Sequence, residues 1–269
     1  MEGSACRRSH DCDYLPGRMH PSMPNKIANL KFGSRFGVIR LRYRPRKGTL
    51  TYEQKGGNQS TADRHGVSLD AHIHALYGLT LQQSGKRVLL IGCGGGTLAT
   101  MLARAGRQVS IVDIDPVSFT LAKRYFGLPD DVVCHVSDGL SFLQKARKRF
   151  DTLIVDAFVG EKMPRHLVGP EFFEAALRCL HRNGLAMINV CIDGNSDLTA
   201  DRVAAGFRAR GCATRILDHR GSYRNTIVLI GKVKSLRRPK LLVQAEADMR
   251  QTKRELKQMR FRRQRATKK

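Results

Sequence analysis

Tryptophan is absent, and aromatic residues make up only 6% of the 269 residues, so platforms for stacking nucleic-acid bases are sparse. No apolar run approaches the roughly 18 residues needed to cross a bilayer. The opening residues carry charge with no apolar stretch behind them, which argues against a secretory signal. Cys-x-x-Cys does not occur, and the seven cysteines (6, 12, 93, 134, 179, 191 and 212) are odd in number. A disulfide framework is therefore not expected, and a reducing, cytoplasmic setting is. Cys93, Cys134 and Cys191 sit in apolar, strand-like runs, where cysteine acts as a small hydrophobe. Cys6, His10, Cys12 and His20 have ligating chemistry, but their spacing fits no standard zinc finger, and no metal is expected. Acids are scarce as well: 23 Asp and Glu face 48 Lys and Arg, a net charge of +25. The 41% of hydrophobic residues still suffice for a core, which excludes wholesale disorder and a collagen-like chain.

The positive charge is concentrated at the ends. Residues 232–269 carry 15 Lys and Arg against 3 acids, and residues 1–48 carry 11 against 3, whereas the middle carries 22 against 17. A basic tail is a candidate for holding nucleic acid through counterion release, and equally a solvated segment that aids solubility.

Residues 1–30, rich in Pro, Gly, Ser, Cys and His without periodicity, read as a poorly ordered leader. Residues 31–84 read as a small β unit plus a helix: 36–43 alternates apolar and basic residues, 49–54 is a second strand, and 69–82 a helix. Over 85–232 strands and helices alternate, with strands at 86–91, 108–113, 132–136, 150–156 and 185–192 and a closing pair at 214–217 and 225–230. Near-continuous apolar strands separated by helices predict an α/β fold, Rossmann-like, with a mostly parallel doubly wound sheet. Residues 233–269 form the basic tail, read as helical over 241–263 with a thin apolar face.

The sharpest signal is the run Val88 to Thr97, where four apolar residues lead into Gly92, Gly94, Gly95 and Gly96 and then a helix. Glycine serves where a backbone turns tightly and approaches a ligand. Asp113 ends the next strand, 21 residues after Gly92, where a carboxylate can accept bonds from both ribose hydroxyls. The G-x-G-G-G spacing is tighter than that of dinucleotide folds and suits an adenosine ligand without a pyrophosphate, which points to S-adenosylmethionine or a relative more than to NAD. Two more acids follow strands. Asp138, before Gly139, is suited to the adenine amino group, and Asp156 sits at the crevice mouth near the reactive end of the ligand.

These residues resemble the spermidine synthase family, the polyamine aminopropyltransferases. The resemblance runs over roughly 50–192 and rests on the glycine run, Val112-Asp-Ile-Asp-Pro116, Tyr125-Phe-Gly-Leu-Pro129, Ser137-Asp-Gly139, Val155-Asp-Ala-Phe158, His166-Leu and Glu171-Phe-Phe173. It implies a class I methyltransferase fold behind a small β unit, and a co-substrate that is decarboxylated S-adenosylmethionine or S-adenosylmethionine itself. Gly92, Gly94, Gly96, Asp113, Ile114, Asp138 and Gly139 would bind it. Asp156 would receive or steer the attacking amine as the catalytic acid–base. Gln59 and His72 fall where the family places substrate residues. Two family acids are replaced, by Gly95 and by Val159, and Glu161 is a candidate substitute charge. The resemblance also implies homodimers.

Three readings follow. In the first, a spermidine synthase-like transferase moves an aminopropyl group to an amine in polyamine biosynthesis. In the second, the same pocket serves an S-adenosylmethionine-dependent methyltransferase acting on nucleic acid or protein held by the basic ends. In the third, the chain is a non-catalytic nucleoside-binding protein with a basic interaction tail.

Overall fold

A computed structural model describes residues 29–160 and 162–266; Cys6, His10, Cys12, His20 and Glu161 lie outside them. The chain opens on a four-stranded antiparallel sheet, β1 (Asn29–Phe32), β2 (Ile39–Arg44), β3 (Thr49–Gln54) and β4 (Gly57–Asp63), paired in that order. In β2, Ile39 and Leu41 point inward while Arg40, Arg42 and Arg44 face solvent, the alternation of a half-buried strand. Lys55 and Gly56 both have positive φ between the paired residues Gln54 and Gly57, as a two-residue type I′ hairpin requires. Neither β1 nor β4 is foreseen in the sequence. β1 begins inside the stretch read as leader. β4 (Gly-Asn-Gln-Ser-Thr-Ala-Asp) has almost no apolar residue with which to signal a strand.

The second sheet has eight strands in the order β12-β10-β11-β9-β8-β5-β6-β7. Its parallel part is β5 (Arg87–Ile91), β6 (Gln108–Asp113), β7 (Val133–Val136), β8 (Phe150–Val155) and β9 (Leu180–Ile192); β10 (Thr214–Asp218), β11 (Arg224–Gly231) and β12 (Arg260–Arg262) run antiparallel to their neighbours. One face carries α1 (Ala71–Leu81), α2 (Thr97–Arg104) and α3 (Pro116–Tyr125); the other carries α4 (Gly139–Lys145), α5 (Pro170–Cys179) and α6 (Thr199–Arg208). The small sheet lays Ile39, Leu41, Leu50 and Tyr52 against Leu121 and Phe126 at the α3 end. That contact carries β4 over the C-terminal ends of the parallel strands. Connections leave β5 and β8 in opposite directions along the sheet, so a crevice opens between their ends, where ligands of open α/β sheets bind.

The reading of 241–263 as one helix is corrected. The helix α7 spans only Arg250–Gln258, and the chain then forms β12 on the sheet edge. The cause lies in α1, nine of whose eleven residues are buried. A helix without a polar face needs cover on every side. The returning segment supplies it through Ala245, Met249, Leu256 and Met259, all 4% exposed or less and part of the same core as Ile73 and Leu76. Past α7 the arm is clamped: Arg262 and Arg265 both bond the buried carboxylate of Asp201 on α6, and Arg262 also bonds Asp218 at 2.8 Å.

Candidate active site

The glycine loop joins β5 to α2. At Gly92 φ is +100°, and a Cβ there would stand 2.1 Å from the carbonyl oxygen of Asp156. Only glycine lets the ends of β5 and β8 meet here; Asp156 N–H in turn donates to the Ile91 carbonyl at 2.8 Å. The loop is also packed by protein. Gly95 N–H donates to Ser60 Oγ at 3.0 Å, and a Cβ on Gly95 would lie 3.0 Å from the Phe126 ring. The expected reason for glycine, approach of a ligand, is joined by the approach of β4 and of the chain end of α3. A side chain at position 95 would crowd Phe126 and Ser60, its Cβ lying 3.0–3.1 Å from them.

Asp113 ends β6 and reaches back under the loop. Its two oxygens accept from Cys93 N–H at 2.7 Å and Asp115 N–H at 2.8 Å. Burial pushes its carboxyl above the ordinary range, against the pull of those two amides. Each oxygen keeps a further lone pair, so a diol at the loop can still be bound. Ile114, beside it, is 40% exposed. Asp138 follows β7 and caps α4, accepting from Ser141 N–H at 2.9 Å, while its other oxygen meets His166 Nε2 at 2.6 Å. Burial alone would raise it, but the Ser141 amide and His166 hold it below the usual carboxylate range. Gly139 is pressed against Ile91, 2.6 Å from where its Cβ would be. These residues share the carboxyl edge of the sheet with the glycine loop.

A cavity of about 260 Å³ lies beside them, walled by β4, α1, the loop and the ends of β8, β9 and β11. It brings together the predicted Gly92, Gly94, Gln59, His72 and Asp156. Gly96, Asp113, Ile114, Asp138 and Gly139 are not on its wall. Asp156 accepts from Asn189 Nδ2 at 2.8 Å through one oxygen, and no cation pairs with it among the described residues. Asn189, fully buried on β9, also donates to Asn225 Oδ1 at 2.9 Å, and its own Oδ1 has no partner. A buried acceptor without a donor is costly, and it faces the same space as the carboxylate. Val159 is 47% exposed and off the cavity wall, unlike its neighbours Phe158 and Gly160. Nearby, Asp70 is bonded by Thr61 N–H and by Ser68, and burial pushes its pKa up.

Sequence reasoning missed Asn58, Ser60, Asn189 and Asn225. Asn189 did leave a signal: it interrupts the apolar run of β9 with an amide.

Fold and strand-end acids together define a class I methyltransferase-type α/β domain with a small β sheet set before it. Residues 72–192 match the family model of the spermine/spermidine synthase domain. A polyamine aminopropyltransferase of Vibrio vulnificus is 32% identical over 121 residues, 42% of this chain and 40% of that protein. An N-terminal histidine N-methyltransferase of Emericella nidulans is 31% identical over 126 residues, 45% of this chain and 23% of that protein. The chain thus spans less than half the length of these curated relatives. In structure, a probable spermidine synthase from Corynebacterium glutamicum superposes with a TM-score of 0.71 at 18% identity, over 87% of this chain and 90% of that one. No helix among the described residues is long and apolar enough to cross a membrane.

Proposed function

We propose that the chain transfers an aminopropyl group from decarboxylated S-adenosylmethionine to an amine, as in polyamine biosynthesis. The observation that carries this reading is Asp156, a carboxylate without a cation partner among the described residues, held by Asn189 at the meeting of glycine loop and cavity. An alkylamine near pKa ~10 is protonated at neutral pH and cannot attack. Asp156 binds the ammonium and accepts or relays its proton as the nitrogen closes on the carbon beside sulfur. The C–N bond forms, the C–S bond breaks, and sulfur keeps the electron pair as the neutral thioether of methylthioadenosine. The unpaired Oδ1 of Asn189 suits a second N–H of the same nitrogen. Gly92, Gly94 and Gly96 lay the loop along the donor, Asp113 takes the ribose, and Asp138 the adenine amino group, for which it must share the oxygen now bonded to His166.

The similarity to an N-terminal histidine N-methyltransferase favours one second reading, transfer of methyl from S-adenosylmethionine to an amine of a protein. The displacement is the same, and the same carboxylate serves it. The basic ends would then hold the acceptor, although Arg262 and Arg265 are already committed within the molecule.

The test supplies purified protein with decarboxylated or ordinary S-adenosylmethionine plus putrescine and reads the products by mass spectrometry. An aminopropylated amine with methylthioadenosine supports the first reading; turnover of the ordinary form alone replaces it with the second. Asp156→Asn should lower transfer by about 10²- to 10⁴-fold while nucleoside binding persists; full turnover in that variant removes the role given to Asp156.

A further inference from the structure

A second cavity, of about 340 Å³, adjoins the first and shares Asn58, Gln59, His72 and Asn225 with it. Its outer wall is α7, the helix of the C-terminal arm, and no lysine or arginine among the described residues lines it. It presents three carboxylates, Asp70, Asp248 and Glu255, in a chain whose net charge is +25. Asp248 is bonded by Arg250. Glu255 is half-buried, accepts only from Gln251 Nε2 at 2.8 Å, and has no cation beside it among the described residues. At the junction of the two cavities Gln59 Nε2, a donor, has no partner among the described residues, and deeper in, the fully buried Asn189 Oδ1, an acceptor that an ammonium can satisfy, has none either. Polar groups left unsatisfied in a protein interior call for a ligand or water to complete them.

We propose that this cavity is the outer acceptor subsite, and that Glu255 of the C-terminal arm selects acceptors carrying a positive charge beyond the reacting nitrogen. The subsite rests on the transfer reading above and adds the arm to the binding machinery. With the reacting amine on Asp156 and Asn189, an extended acceptor passes Gln59 and His72 and sets its second cation against Glu255, with Asp70 and Asp248 adding to the field. Attraction between an ammonium and a partly desolvated carboxylate is stronger here than at an open surface.

The test compares putrescine with n-butylamine, of equal chain length but one charge fewer, by calorimetric titration of the full chain saturated with methylthioadenosine. Putrescine should bind at least about tenfold tighter, a difference of 1.4 kcal/mol. Glu255→Gln should bring putrescine to the level of n-butylamine and leave n-butylamine and methylthioadenosine unchanged. Equal binding of putrescine by wild type and E255Q overturns the subsite, and transfer by the wild type then leaves the reading of Asp156 standing. Failure of both amines to bind, with methylthioadenosine still bound, overturns the subsite and the amine-transfer reading together. Because Glu255 is on the arm's outer helix, E255Q should unfold at the wild-type temperature; Arg254→Gln, one residue away and outside the cavity, serves as the charge-change control and should leave the putrescine preference intact.

Discussion

Three acids at the ends of three successive strands were legible as residues, because in a parallel sheet chemistry gathers at the carboxyl edge. Asn189 was not, since a single amide inside an apolar strand reads as core until its partners are known. Its hydrogen bond to a charged group is of the kind that contributes about 1.5–3 kcal/mol. Asn189→Leu, close in size, should lower kcat about 10- to 100-fold and leave the donor KM unchanged. A KM rise with normal kcat would show that Asn189 binds rather than orients. Gly95 carries a different lesson. The family resemblance marks it as a missing acid, and the structure shows that a side chain there would press on Phe126 and Ser60, which would have to give by a few tenths of an ångström. Gly95→Asp should destabilise by about 1–3 kcal/mol through overpacking against Phe126 and Ser60, seen as a lower denaturation midpoint. An unchanged midpoint would mean the ring moves aside freely.

Among the elements, the helices and strands of the parallel sheet announced themselves by period, length and glycine or proline punctuation. β4 stayed silent because its residues face a loop and a cavity rather than a core. The arm was misread for the opposite reason: its apolar residues are few and unevenly spaced, and their purpose is visible only from α1, which they cover. Leu256→Ala should cost about 2–5 kcal/mol, although a surface helix so rich in lysine and arginine suggests little loss. Arg262→Ala leaves Asp201, fully buried, with Arg265 alone. Removing one partner from a buried ion pair costs about 3–5 kcal/mol, and the remaining arginine places the expected loss at the lower end. Both are read from chemical unfolding. Burial works against the charges of Asp201 and Asp218, but the arginines outweigh it and hold both pKa values below the ordinary range. Their contribution is therefore present above the unfolded carboxylate pKa, near 4, and is lost as pH falls through the lower folded value. Arm release, followed by proteolysis, should set in below pH 4 and not near neutrality.

At the scale of the whole molecule, the clamp acids and the buried acids Asp113 and Asp70 shift in opposite directions, while Asp138, held by Ser141 and His166, shares the lowered sign of the clamp. Asp201 and Asp218 gain from being charged where they are. Asp113 and Asp70 are raised by burial, so the native state works against their ionisation, a pattern that collects at functional sites. A ligand that donates hydrogen bonds to Asp113 relieves part of that cost. Methylthioadenosine at about 100 times its Kd should stabilise the fold by about 2.7 kcal/mol, and Asp113→Ala should abolish the rise in Tm. No rise with the wild type would remove the donor-binding role given to Asp113 and the glycine loop.

The three residues of β12 have one more consequence. They cover Ile216, Leu217 and Asp218 on the outer side of β10, which without them would be the last strand of that side of the sheet. Behind β10 lies the run Ile227, Val228, Leu229 and Ile230 of β11. A bare strand in that position offers its backbone to any other chain. Arg260, Arg262 and Arg263 are natural cuts for a trypsin-like protease, and a molecule clipped there is a template for edge-to-edge aggregation. The most basic part of the sequence thus guards solubility by a means that charge alone does not supply: it occupies a hydrogen-bonding edge.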